Sequence, residues 1–151
     1  MRGRRKAREI ALQVLYGLNF VDIDVQKALD LFWGNFVAPK TAKEFAAFLV
    51  QGTCEHKEEL DKLIAGCSDN WSLGRMSKVD INILRLAVFE FLYCEDIPPK
   101  VTLNEAVDLG KTFGSENSGS FINGILDALN LKLNKKNATN FLDRKSRPSK
   151  T

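Results

Sequence analysis

Apolar residues recur at helical spacing almost from the start of the chain. In residues 4–18, Ala7, Ile10, Ala11, Val14, Leu15 and Leu18 stand three and four apart, which puts them on one stripe of a helix. A shorter helix is predicted over residues 24–36, with Leu29, Phe32, Trp33 and Phe36 on one side and Pro39 closing the connection. Thr41 and Glu44 have the spacing of a capping box, in which hydroxyl and carboxylate each satisfy a free backbone N–H, so a third helix should open there. Its stripe runs through Phe45, Phe48, Leu49 and Gly52 to Leu60, Leu63, Ile64 and Cys67, with His56 among the charged residues of a solvated side. A short helical turn around residues 71–76 leads to Ser77, which with Asp80 makes another N-cap.

Residues 79–92 are apolar around most of the helical circumference, as expected of a central helix surrounded by others. Pro98 and Pro99 stop it, and Thr102 with Glu105 repeats the capping-box spacing ahead of Leu103, Ala106, Val107, Gly110 and Phe113. After a Gly/Ser/Asn-rich loop at 114–119, the last helix faces inward through Phe121 or Ile122, then Ile125, Leu126, Leu129 and Leu133. No segment alternates with a period of two. The fold class is therefore all-α, about six or seven helices, with a body over residues 1–134 and a basic flexible tail over 135–151.

Net charge changes this picture more than composition does. The total is only +3, but residues 1–8 and 132–151 together carry +11, while residues 9–131 carry −8. Basic ends on an acidic body attract a polyanion locally; the alternative is that they merely aid solubility. The candidate nucleic-acid contacts are Arg2, Arg4, Arg5, Lys6 and Arg8, because guanidinium groups chelate phosphate and stack on bases. Cys54, Cys67 and Cys94 form no CxxC pair and fit reduced thiols, which points to a cytoplasmic protein. The basic N-terminus imitates the start of a signal peptide, but Glu9, Gln13 and Asn19 interrupt the apolar run, so a soluble, unprocessed chain with no membrane span is expected.

Catalytic chemistry is poorly provided for. One histidine, His56, supports neither a multi-histidine metal site nor a charge relay. Gly110-Lys111-Thr112 lacks the upstream glycine and strand of a phosphate-binding loop. The reading is a protein that is not an enzyme, with no metal and no cofactor.

Three stretches then come together in order. They are Arg4-Arg5-Lys6-Ala7-Arg8-Glu9 with Ala11-Leu12-Gln13 and Leu15-Tyr16; Val79-Asp80 with Ile83-Leu84-Arg85-Leu86-Ala87 and Glu90; and 101–107 with Lys111, Phe113-Gly114 and 121–127. Over about residues 4–130 the chain resembles the NusB family. The resemblance implies two packed helical subdomains and a role in transcription antitermination. It further implies binding of single-stranded boxA RNA from ribosomal RNA transcripts together with the ribosomal protein NusE, within the RNA polymerase antitermination complex. Tyr16, Asp80, Glu116 and Asn117 then fall where the family meets NusE. Asn117 departs from a frequent aspartate and Ser120 from a frequent basic residue.

Single-stranded RNA is held by basic grooves with aromatic platforms, which makes Tyr16 and Phe121 candidates, although Phe121 fits a core position equally well. Gly119, Ser120 and Phe121 open the last helix, whose free N–H groups can receive a phosphate; an ordinary capped turn is the other reading. Two further alternatives stand beside the leading one: a protein-only helical adaptor or homodimer, and an RNA-recognition module of an rRNA-modifying system.

Overall fold

The computed structural model describes residues 2–68 and 72–146, and their side chains apart from those of residue 2 and residues 135–146. Among the described residues seven α-helices follow one another: α1 (Arg2–Leu18), α2 (Val25–Asn35), α3 (Lys40–Glu55), α4 (Lys57–Ala65), α5 (Lys78–Tyr93), α6 (Pro99–Phe113) and α7 (Ser118–Ser146), with a 3-10 turn at Leu73–Arg75 before α5. Among the described residues there is no strand. Helices α1, α2 and α3 pack on one another, and α4, α6 and α7 gather around α5, which also meets α1 and α3. The two subdomains therefore share one core, with α5 as its axis.

The α1 stripe is buried as its spacing requires: Ala7, Ile10, Ala11, Val14 and Leu15 are all within the core. Ile81, Ile83, Leu84, Leu86, Ala87, Val88 and Phe89 bury most of the circumference of α5. Ser77 caps that helix, its Oγ accepting the Asp80 N–H at 3.0 Å. In α7 the inward position is Ile122, fully buried, and not Phe121. Glycine matters at position 52, where a Cβ would overlap the Phe89 ring; its absence lets α3 lie directly on α5.

Four sequence expectations need correcting. The single third helix is two, broken at His56, whose N–H bonds to Gly52 while its carbonyl accepts from Leu60. Helix α3 packs on α1 and α5 but α4 packs on α5 and α7, and one straight rod cannot reach both. His56 is not a freely solvated residue: its ring stacks on Tyr93 with centroids 4.3 Å apart. Neither predicted capping box forms. Helices α3 and α6 start earlier, at Lys40 and Pro99, behind Pro39 and Pro98 and without side-chain caps. Proline fixes φ and has no N–H to satisfy, so it begins a helix without a hydroxyl's help. Finally, the α7 backbone stays helical to Ser146, past the point where a tail was expected. Between Ser118 and Pro148 the sequence holds no helix-stopping proline. Trp71, in the predicted turn, lies outside the described residues.

Candidate nucleic-acid interface

Helix α1 places its basic residues in the first two turns, with no acidic residue in the first. Cations there oppose the positive end of the helix dipole, so the fold must supply partners. It does so unequally. Arg8 is buried: its Nε and Nη2 donate to Glu90 at 2.9 and 2.8 Å, and the Thr102 hydroxyl donates to the same carboxylate at 3.1 Å. Burial works against the guanidinium charge, but the hydrogen bonds and charge of Glu90 restore it, and the net effect raises the Arg8 pKa. Arg8, expected as an RNA contact, is instead an internal strut joining α1 to α5 and α6. A phosphate could win it only by leaving the buried Glu90 without its counter-charge, at a cost of about 3–5 kcal/mol.

Arg4, Arg5 and Lys6 stay at the surface. Arg4 donates to Asp96 at 2.9 Å and lies 4.9 Å over the Phe45 ring. Its hydrogen bond holds the Asp96 carboxyl below the ordinary aspartate range. Arg5 chelates Glu105 at 3.1 and 3.2 Å and reaches Asp108 at 3.0 Å, with 61% of its side chain still exposed. The hydrogen bond and charge of Glu105 raise its pKa, so the group is fully cationic. Lys6 is 58% exposed and stands 3.8 Å from Glu9. Exposed pairs of this kind are weakly held and screened by salt, so phosphates can replace the carboxylates. The Arg2 side chain lies outside the described residues.

The path from α1 leads across α6. Asp108, which holds Arg5, is three residues before Lys111 and shares its helix face. The stem of Lys111 runs along Gly119 at the start of α7, where a Cβ would stand 3.0 Å from Lys111 Cγ. Lys111 thus lies one turn from Asp108 on α6 and against Gly119 of α7, a placement its local motif did not reveal because the contact is between helices. Ser120 is exposed and its hydroxyl donates to the Asn117 carbonyl at 3.1 Å. Phe121 is half-buried. Helix α7 is fastened at its start by the buried Ser118, whose Oγ accepts the Ser115 N–H at 2.9 Å.

Tyr16 belongs elsewhere. It is 40% exposed and lies against Phe20. Twelve residues of helix separate it from Arg4, a rise of about 18 Å. Asp80 and Asn117 do come together, in a cleft of about 250 Å³ walled also by Arg75, Met76, Ser77, Ser115 and Phe121. Asp80 is 9% exposed and its Oδ1 lacks a hydrogen-bond partner, so a donor entering that cleft would satisfy it. Glu116 is exposed on the adjoining loop. Among the described residues, no helix is long and apolar enough to cross a membrane, and no three His, Cys, Asp or Glu are grouped to hold a metal.

The NusB family model matches residues 5–130 of the chain. The chain is 61% identical over 137 residues to the transcription antitermination protein NusB of Syntrophus aciditrophicus strain SB, covering 91% of this chain and 85% of that protein. It is 48% identical over 132 residues to the namesake protein of Desulfatibacillum aliphaticivorans, covering 87% and 92%. Among solved structures, T. maritima NusB aligns with a TM-score of 0.77 and 40% identity over 83% of this chain and 89% of that one. A chain from the crystal structure of antitermination factors NusB and NusE in complex with dsRNA aligns with a TM-score of 0.77 and 32% identity, covering 85% and 96%.

Proposed function

The chain belongs to the NusB family, and from that premise we propose that it is a transcription antitermination factor working by recognition, not catalysis. It takes up single-stranded boxA RNA of ribosomal RNA transcripts together with the ribosomal protein NusE, as part of the RNA polymerase antitermination complex in the cytoplasm. Residues 1–134 form the recognition body, and the basic stretch 135–151 adds phosphate contacts. The observation that carries the reading is that the exposed Arg5 reaches α6 at Asp108, one turn from Lys111, whose stem lies against Gly119 at the start of α7, all inside the stretch matched by the family. Arg4, Arg5, Lys6 and Lys111 take phosphates, and Gly119, Ser120 and Phe121 take the strand at the start of α7. Tyr16, Asp80, Glu116 and Asn117 face NusE, with the Asp80–Asn117 cleft receiving one of its donor groups.

The test is a titration of labelled boxA-like RNA with and without NusE, against a scrambled sequence and the same RNA as a duplex. Discrimination against both controls is expected, strengthened by NusE. Equal affinity for the scrambled RNA in both conditions overturns the reading, and tighter binding of the duplex overturns the single-stranded part. Each phosphate contact on a single strand contributes about −0.7 to the log–log salt slope, so Arg5→Ala and Lys111→Ala should each flatten it by about that amount.

A further inference from the structure

On the other side of the α1 entrance, away from α6, lies a second cleft of about 410 Å³ walled by Gly3, Arg4, Thr41, Glu44, Phe45 and Phe48. Its floor is aromatic. The Phe45 and Phe48 rings are near-parallel, inclined by 21° with centroids 6.4 Å apart. Phe48 is 46% exposed, yet its ring is steadied from beneath by Phe89 at 5.4 Å. The Phe45 ring carries the Arg4 guanidinium at 4.9 Å. On the rim, Thr41 offers a hydroxyl and Glu44 a carboxylate, the latter 3.9 Å from the exposed Lys40 ammonium.

We propose that this cleft is a nucleobase subsite, in which one unpaired RNA base lies on the exposed face of Phe48 while its flanking phosphates meet Arg4 and Lys40. This rests on the RNA-binding reading and extends it to a site of its own. Three features favour a base over a protein side chain. The floor is a flat, fixed aromatic face, to which any nucleobase can stack. The flanks are cationic, matching the charge that accompanies each base along a strand. The rim holds hydrogen-bonding groups at the edge of the floor, where a stacked base presents its own polar edge. Glu44 accepts and does not donate, so it selects a base bearing an exocyclic amino group. In uracil the N3–H lies between two carbonyl oxygens that repel a carboxylate, so cytosine, adenine or guanine is preferred there.

The experiment uses the full chain with NusE and boxA-like single-stranded RNA. Stacking of one base corresponds to about a 5- to 150-fold change in affinity, and Phe48→Ala should lose that much with an unchanged salt slope, since no phosphate contact is removed. Phe48→Leu keeps apolar volume over Phe89 and should lose most of the same affinity, while Phe48→Trp should keep it. An RNA series with one abasic position at a time should show one position that matters to the wild-type chain and not to Phe48→Ala. If the wild type discriminates boxA from scrambled RNA but Phe48→Ala and Phe48→Leu bind equally well, the subsite is overturned alone. Loss of NusE affinity with RNA affinity unchanged overturns it also, in favour of a protein-docking surface. A wild type without discrimination removes the functional reading and the subsite with it.

Discussion

Replacing Glu90 by glutamine removes the charge opposite Arg8 while keeping the shape of the carboxyl group. The Arg8 and Glu90 side chains are only 5% and 2% exposed, so water cannot replace the lost partner. The Thr102 hydroxyl also depends on the same oxygen that accepts from Arg8 Nη2. Breaking a buried pair from one side costs about 3–5 kcal/mol. For a chain of this length that is a fall in melting temperature of about 6–20 °C. Urea unfolding followed by circular dichroism at 222 nm gives the free energy directly. Arg8→Met combined with Glu90→Leu and Thr102→Val should recover most of the loss, because all members of the network leave together. RNA affinity of the folded Glu90→Gln chain should match the wild type. A cost below about 1 kcal/mol, joined to a tenfold loss of RNA affinity in Arg8→Met, would refute the assignment of Arg8 to the interior.

Gly52→Ala puts a methyl group into the Phe89 ring and should destabilise the chain by about 1–3 kcal/mol, measured by the same urea transition; a neutral result would show that α3 and α5 can separate freely. Ser77→Ala removes the cap of α5 and should cost about 1 kcal/mol, whereas Thr41→Ala, which caps nothing, should lose no capping energy. Burial, followed by the nearby Glu90 and Asp96 charges, pushes the Cys94 thiol up to about 11. The folded chain therefore keeps this proton longer than the unfolded one. The resulting stability is intact below about pH 8.5 and fades as pH rises toward 11. Alkylation mapped by mass spectrometry should find Cys94 slow at pH 8, and labelling as fast as an unfolded control would contradict its burial.

Periodicity alone determined the helices whose buried stripe is continuous. In α1 and α5 most inward apolar residues follow from spacing, because a helix of period 3.6 repeats its face wherever the chain goes next, while the buried Arg8 and Glu90 do not. The Ser77 cap was legible for the same local reason, since donor and acceptor are three residues apart. The family resemblance was legible too, because its motifs are short and ordered along the chain. What needed the tertiary structure was every decision made between distant residues. Arg4, Arg5, Lys6 and Arg8 read as one basic cluster, yet Glu90, 82 residues from Arg8, takes it inside, while Asp96, Glu105 and Asp108 meet Arg4 and Arg5 in water. The Thr102 spacing signalled a cap, but Pro98 and Pro99 began the helix and left Thr102 to bond Glu90. The break at His56 follows from α4 having to reach α7, and the cleft at Phe45 and Phe48 from Arg4 of α1 coming over the Phe45 ring. Charge type is written in the sequence, but whether a charge is free to bind depends on which carboxylate folding brings beside it and how much water remains.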